Sequence, residues 1–235
     1  MKKKAIVVHS GGMDSSLCLA LAVKEFGASN VLSLSFTYNQ RHAIELDRAQ
    51  KIADYFQVDR VELDLSCLSQ ITQSALIGKS RPIEHKKGEV PNTLVAGRNG
   101  LMARIAGIHA HSLGAHFIYM GVMELEEANS GYRDCSRAYM DLVQSALRID
   151  FADELFEIRT PLVKMNKKET MELGLELGVL EFLLEISITC YEGIEKEGCL
   201  KCPACMLRNS GLKIFSLEHP EFKYSYRQKI LNLIA

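Results

Sequence analysis

Short apolar runs alternate with amphipathic stretches along most of this chain. Five short runs rich in β-branched and aromatic residues are predicted as strands, at 4–9, 30–38, 58–65, 116–123 and 156–162. Helical spacing of apolar residues predicts helices at 15–26, 41–57, 99–113, 136–147 and 166–177. Strands that alternate with helices form a parallel sheet covered on both faces. We therefore predict an α/β fold with a doubly wound, mostly parallel five-stranded sheet, followed by a small C-terminal helical segment.

Polar residues and glycines follow three of the predicted strands. The strings His9-Ser10-Gly11, Tyr38-Asn39-Gln40 and Gly121-Val122-Met123 stand at predicted carboxyl ends. Ligands of open parallel sheets bind outside those ends, so this edge is the expected site. Residues 66–97 show weak periodicity, and a connection of that length in a compact domain is often functional.

Composition and charge narrow the class of protein. The chain has 235 residues, 47% of them hydrophobic and 24% charged, with a formal net charge of −1. That balance indicates a globular protein and gives no reason to expect a nucleic-acid or membrane partner. The apolar run after Lys2–Lys4 is too short for a signal peptide, so a cytoplasmic location is expected. We predict an α/β domain over 1–185 and a C-terminal segment over 186–235.

The loop Ser10-Gly11-Gly12-Met13-Asp14-Ser15 joins the first predicted strand to the first predicted helix. Glycines let the backbone approach a phosphate closely, and the helix N-terminus offers unpaired amides. The loop lacks the Gly-Lys-Ser/Thr of a Walker A motif and the third glycine of a dinucleotide fingerprint. A tight turn with Asp14 or Ser15 as an ordinary helix cap is the alternative interpretation.

Four of the seven cysteines lie close together near the end of the chain: Cys190, Cys199, Cys202 and Cys205. Four thiolates at this spacing can close a tetrahedral site, which predicts one structural Zn²⁺. An iron–sulfur cluster or a redox Cys-x-x-Cys pair are the alternatives. The other three, Cys18, Cys67 and Cys135, are scattered and have no assigned role.

The string Ser-Gly-Gly-x-Asp-Ser after an N-terminal strand resembles the PP-loop of the ATP pyrophosphatases, which split ATP between its α and β phosphates. The resemblance implies that this loop holds pyrophosphate, with Mg²⁺ beside Asp14. Tyr38 is expected to stack on a planar base. The nucleotide-binding residues are thus predicted to be His9, Ser10, Gly11, Gly12, Met13, Asp14, Ser15, Ser16 and Tyr38.

Further segments narrow the resemblance. They are 35–42, Glu45-Leu46, Gly97-Arg98-Asn99, Ser130-Gly131-Tyr132, Asp134-Cys135, Thr160-Pro161-Leu162, 166–170 and 189–208. Together with the loop, they are similar to the 7-cyano-7-deazaguanine synthases over about 4–212. This resemblance implies a homodimeric, ATP-dependent ligase of queuosine biosynthesis. Such a ligase converts 7-carboxy-7-deazaguanine and ammonia to the nitrile through adenylated carboxylate and amide intermediates.

The resemblance also suggests the catalytic residues. Gln40, Arg41, His42, Arg98 and Asn99 are placed to receive the nucleotide or the carboxylate, and Asp134 to bind the guanine-like edge or to guide ammonia. The chain departs from the family at Ala96 and Arg133, where proline is usual, and its loop before Gly131 is longer.

Several simpler or rival interpretations stay open. Asp134 is equally explained as a helix N-cap. Lys164, Lys167 and Lys168 are predicted to form an exposed helix face. The rival functions are a PP-loop tRNA thiolase, a deazaguanine-transferring enzyme with another acceptor, and a binding module with a degenerate nucleotide site.

Overall fold

A computed structural model describes the chain over residues 2–41, 44–78, 82–84, 91–124 and 132–233. Within them, one sheet is formed by β1 (Ala5–Val8), β2 (Val31–Thr37), β3 (Asp59–Asp64), β4 (Phe117–Met120) and β5 (Glu157–Arg159). The strand order is β3-β2-β1-β4-β5, and every pairing is parallel.

The helices of the described residues are α1 (Met13–Phe26), α2 (Ile44–Tyr55), α3 (Leu68–Ile71), α4 (Arg98–Leu113), α5 (Arg137–Phe151), α6 (Lys167–Glu176), α7 (Leu180–Ile186), α8 (Pro203–Glu218) and α9 (Arg227–Leu231). None of them has the length and hydrophobicity that crossing a bilayer would require.

The core lies on both faces of the sheet. Successive side chains of a strand point to opposite faces, and β1 shows this directly. Val7 belongs to a buried cluster with Leu17 of α1 and Phe215 of α8, whereas Ile6 belongs to a second cluster with Met102 of α4. The predicted doubly wound parallel sheet is therefore confirmed.

The strand order reverses between β1 and β4, because the chain adds β2 and β3 on one side of β1 before it adds β4 and β5 on the other. At such a reversal, the connections leave the two carboxyl ends in opposite directions and open a crevice. The loop at 9–12 and the residues after Met120 border this crevice.

The structure departs from the predicted elements in several places. α1 begins at Met13 rather than residue 15, because Gly12 is the extended residue that precedes the helix. α5 continues to Phe151, four residues beyond the predicted end. α7 was not predicted, because a segment of seven residues is short for a helix; burial of Leu180, Leu183 and Leu184 stabilises it.

Candidate active site

The loop between β1 and α1 is shaped by close backbone packing. Gly11 has a φ of +81°, and a Cβ there would lie 2.7 Å from the backbone nitrogen of Ala49 in α2. Only glycine fits, since any side chain would push α2 away. The hydroxyls of Ser15 and Ser16 both donate to the Gly12 carbonyl, at 3.0 Å and 2.7 Å. The loop is thus fixed with the α1 N-terminus opening onto the crevice.

His9 supports the loop from beneath. Its fully buried imidazole lies 2.9 Å from Ser33 Oγ through Nδ1 and 3.1 Å from Ser16 Oγ through Nε2. Burial, with a smaller contribution from the Arg60 guanidinium, lowers the pKa of His9 from 6.5 to about 3. The ring is therefore neutral, and it links β2 to the first turn of α1.

The carboxylate of Asp14 is paired with a buried lysine. Lys167 Nζ lies 2.7 Å and 2.6 Å from the two Asp14 oxygens, and the lysine side chain is only 9% exposed. The predicted exposed lysine face is therefore wrong for Lys167. A capping box between Asn166 and Glu169 fixes the start of α6 and places this lysine in its first turn, against α1.

Lys167 is the clearest site residue that the sequence reasoning missed. The capping box was readable from the sequence and could have fixed its position. A lysine in the first turn of a helix opposes the helix dipole, so a nearby anion was to be expected. What the sequence did not show is that the anion is Asp14, which lies 153 residues earlier.

The opposite rim of the crevice joins Arg98, Tyr38 and Glu45. Arg98 Nη1 donates to the Tyr38 hydroxyl at 3.2 Å, and its guanidinium carbon lies 5.4 Å from the centre of that ring. Burial raises the pKa of Tyr38. Burial also raises the pKa of Glu45 to about 7, although the Arg98 charge opposes the rise. A cation, a phenol and a weakly acidic carboxyl therefore face one another here.

The residues after β2 differ in where they point. Gln40 Oε1 accepts from the backbone N–H of Tyr38 at 2.9 Å and lines the crevice. Arg41 Nε donates to Glu192 at 3.0 Å, which ties the start of α2 to the cysteine segment. His42 lies outside the described residues.

Asp134 and Asn99 meet at the start of α4. Asp134 is 6% exposed, and its Oδ2 accepts from the Asn99 backbone N–H at 3.0 Å. Its Oδ1 is buried and has no hydrogen-bond partner within the described part of the chain. Asn99 Nδ2 donates to Cys135 Sγ at 3.2 Å, and burial raises the pKa of Cys135 to about 12.

The N-cap interpretation of Asp134 is wrong. The helix that follows it, α5, is capped by Ser136, whose side chain accepts from the Tyr139 backbone N–H. Asp134 instead satisfies an amide of α4 from outside, and that contact uses only one of its two carboxylate oxygens. The other oxygen is left as a buried acceptor.

These groups enclose a crevice with two lobes and a shared junction. The first lobe is lined by Val8, Phe36, Tyr38, Gln40, Met102 and Met120. The second lobe is lined by Met123, Tyr132, Cys135, Lys167, Tyr191 and Leu207. The junction between them is formed by Ser10, Gly12, Asp14, Glu45, Arg98, Asn99, Gly121 and Val122.

Most of the predicted site residues converge on this crevice. Those that line it are His9, Ser10, Gly12, Met13, Asp14, Ser15, Tyr38, Gln40, Arg98 and Asn99. Gly11 and Ser16 shape the loop through its packing and hydrogen bonds. Asp134 supports it through Asn99, whereas Arg41 is engaged with Glu192.

The four cysteines form one cluster. The sulfur atoms of Cys190, Cys199, Cys202 and Cys205 all lie within 4.8 Å of one another. The Cys202 backbone N–H donates to Cys199 Sγ at 3.2 Å, directly before α8 begins. Gly198 has a φ of +72°, and a Cβ there would collide with Cys205 Sγ. The four predicted ligands thus lie together, and four sulfur donors so arranged could hold a single tetrahedral metal ion.

The cysteine segment is also a wall of the crevice. The Ile188 backbone N–H donates to the Gly11 carbonyl at 3.2 Å, so the segment touches the β1–α1 loop directly. An ion pair between Arg48 and Glu195 adds a second link to α2. Tyr191, next to Cys190, lines the second lobe, and burial raises the pKa of its phenol.

Comparison with known proteins identifies the family. The family model described as queuosine biosynthesis protein QueC matches residues 4–216. This chain belongs to that family. Its function is accordingly that of an ATP-dependent ligase that forms 7-cyano-7-deazaguanine in the queuosine pathway, as predicted. The match does not favour the tRNA thiolase or the transfer to another acceptor.

Two solved structures share the fold. NMN synthetase from Francisella tularensis is similar with a TM-score of 0.51 and 13% identity, over 98% of this chain and 83% of that one. The NH3-dependent NAD synthetase from Campylobacter jejuni subsp. jejuni NCTC 11168, in complex with the nitrate ion, has a TM-score of 0.51 and 16% identity, over 99% and 84%. At these identities the similarity concerns the fold alone.

Proposed function

We propose that the crevice binds ATP in the first lobe and 7-carboxy-7-deazaguanine in the second, with acyl transfer at the junction. The observation that carries this assignment is the placement of the β1–α1 loop, Arg98 and Glu45 between the two lobes. The first lobe has apolar lining residues, among them Phe36 and Met102, which suit a planar adenine.

The phosphates of ATP are proposed to lie on the loop and the α1 N-terminus. α1 begins directly after Gly12, which lines the crevice, and a helix N-terminus favours an anion. Asp14 offers a carboxylate at the loop that would bind Mg²⁺ in exchange for its contact with the Lys167 ammonium. Bound Mg²⁺ would neutralise phosphate charge there. Lys167 is proposed as a second phosphate contact, because its Nζ reaches the same position.

The acyl substrate is proposed to be held by groups of the second lobe and the junction. A guanidinium suits a carboxylate, which assigns Arg98 to the acid being activated. Asp134 is not among the described residues that line the lobes, and its Oδ1, which has no partner among them, is buried. We propose that this oxygen accepts N–H groups of a guanine-like edge once the substrate displaces the side chains that cover it. Tyr132 and Tyr191 line the lobe where a planar base would stack. Arg133 and Ala96 are both exposed, and neither is among the described residues that line the two lobes.

The mechanism turns a poor leaving group into a good one twice. Oxide does not leave a carboxylate, but AMP leaves an acyl adenylate, so ammonia can then form the amide. Adenylation of the amide oxygen makes a second loss of AMP possible and yields the nitrile. The NAD synthetase of similar fold is itself NH3-dependent by its description. The protein contributes by placing the two lobes side by side and excluding water.

The remaining assignments of this proposal concern the metal and the assembly. The four thiols are proposed to hold one structural Zn²⁺, because a closed set of four sulfurs leaves no open coordination position. The homodimer is proposed from the family resemblance, whereas the division at residue 185 and the cytoplasmic location stay predictions from the sequence. The net charge of −1 supports a small-molecule enzyme without a nucleic-acid partner.

Exchange of labelled pyrophosphate into ATP tests the assignment. Exchange without ammonium should depend on 7-carboxy-7-deazaguanine, because the adenylate forms before nitrogen enters. Asp134→Asn should raise the KM for this carboxylate about tenfold or more and leave the KM for ATP nearly unchanged, since one good hydrogen bond to a charged group contributes about 1.5–3 kcal/mol. Exposed Asp54→Asn on α2 is the matched control. Equal effects of Asp134→Asn on both KM values would contradict the assignment of the lobes.

A further inference from the structure

The reaction proposed above requires a base at the junction. Nitrogen attacks the acyl adenylate, a C–N bond forms, AMP leaves with its C–O electron pair, and the nitrogen loses a first proton. The amide oxygen then attacks the α-phosphorus of a second ATP, pyrophosphate leaves, and a second proton is lost. In the last step the C–O bond breaks, AMP carries the oxygen away, the third proton leaves and C≡N forms. A single nitrogen therefore gives up three protons at one place.

Most titratable groups around the junction cannot serve as this base, because they are already paired or have an unsuitable pKa. Both oxygens of Asp14 lie within hydrogen-bond distance of Lys167 Nζ. The Asp134 carboxylate is bound to the α4 N-terminus through one oxygen. His9 has both ring nitrogens paired with serine hydroxyls beneath the loop. The Cys135 thiol stays protonated near neutral pH, because burial raises its pKa to about 12.

Glu45 is placed differently. It lies in the first turn of α2, which packs directly against Gly11 of the loop, and it lines both lobes. Arg98 of α4 and Tyr38 after β2 are the charged and titratable groups that face it, with Asp14 and Lys167 across the junction. Among the described residues, no hydrogen bond occupies the Glu45 carboxylate, so its oxygens are open to the crevice.

We propose that Glu45 is the general base that accepts the protons released by the attacking nitrogen at the junction. This role rests on the adenylation route of the proposed function. A general base works best when its pKa is close to the working pH, and burial raises the pKa of Glu45 to about 7. Since the carboxyl lines both lobes, it can release each proton along the crevice to the solvent outside before the next transfer.

The test compares two half-reactions in Glu45→Gln, whose amide keeps the shape and cannot accept a proton. Pyrophosphate exchange dependent on the carboxylate should stay within a few-fold of wild type, while nitrile formation falls about 10²–10⁴-fold. Asp47→Asn, two residues further along α2 and exposed, should change neither rate. Retained exchange also shows that the variant is folded.

The pH dependence of nitrile formation distinguishes a general base from a purely structural role, because a structural role of Glu45 would leave it unchanged. In wild type, the rate of nitrile formation should fall about tenfold per pH unit below about pH 7, because the base becomes protonated. Glu45→Gln should not show this fall in rate below about pH 7. Glu45→Asp should keep it at a lower rate.

Two outcomes separate the possible failures. Nitrile formation that is retained in Glu45→Gln, or lost in equal measure with exchange, would overturn the role of Glu45 alone. Absence of carboxylate-dependent exchange in the wild type would overturn the adenylation route and, with it, this role.

Discussion

Replacing Lys167 with methionine removes the cation that balances Asp14 while keeping a side chain of similar length. The Lys167 side chain is 9% exposed and that of Asp14 is 30% exposed. Loss of one partner of a fully buried pair costs about 3–5 kcal/mol, because a bare charge stays behind. Asp14 keeps some access to water, so we expect Lys167→Met to lower the free energy of unfolding by about 1–3 kcal/mol.

A double-mutant cycle separates the pair from the individual side chains. Asp14→Asn, Lys167→Met and the double variant are unfolded in urea at constant salt. If the ion pair itself stabilises the fold, Lys167→Met should lower the free energy of unfolding only slightly in the Asp14→Asn background. The coupling energy is then about 1–2 kcal/mol. Lys168→Met, whose ammonium pairs with Glu218 at the surface, is the matched control and should change stability by less than about 1 kcal/mol.

The same variants test the proposed contact of Lys167 with phosphate. Lys167→Met should raise the KM for ATP at least about tenfold, since hydrogen bonds to charged groups contribute about 1.5–3 kcal/mol. Lys168→Met should not. Equal stability and equal ATP affinity of the two lysine variants would refute the reasoning, because the structure gives the two neighbours different partners.

Three further predictions follow from the loop and the cysteine cluster. Cys202→Ser should release the bound metal and lower the melting temperature, measured by elemental analysis and calorimetry; an unchanged metal content would contradict the four-cysteine site. Gly11→Ala should abolish binding of ATP in titration calorimetry, because the added Cβ meets α2; normal binding would contradict that packing. His9 stays neutral in the folded protein down to about pH 3, whereas in the unfolded chain it takes up a proton below about pH 6.5. Between these two pH values, the free energy of unfolding therefore falls by up to about 1.4 kcal/mol for each pH unit that the pH is lowered. The free energy of unfolding, measured in urea between about pH 7 and pH 5, should depend less steeply on pH for His9→Asn than for wild type. An identical pH dependence would contradict the burial of this ring.

The fold and the loop could be predicted because their signals are local. Alternating apolar strands and helices determine a parallel sheet, and a parallel sheet determines which edge binds the ligand. The string from Ser10 to Ser15 and the spacing of the cysteines each lie within a short stretch of sequence. In these cases the chemistry and the residues that position it are close neighbours along the chain.

The parts that escaped prediction depend on packing between distant segments. Lys167 was assigned to the surface, and only the contact of α6 with α1 shows its pairing with Asp14. Glu45 had no assigned role, because its environment is created by α4 and by the end of β2. Arg41 was assigned to the crevice by its position after β2, but the fold brings Glu192 within reach of its guanidinium. Such contacts are not encoded in any periodicity.

The most direct test of the central claim follows the oxygen atoms of the substrate. 7-Carboxy-7-deazaguanine labelled with ¹⁸O at both carboxylate positions is converted with ATP, Mg²⁺ and ammonium, and the products are analysed by mass spectrometry. Adenylation of the carboxylate and then of the amide predicts two molecules of AMP per nitrile, each carrying one ¹⁸O atom. Label in water or inorganic phosphate, or formation of ADP in place of AMP, would contradict the account.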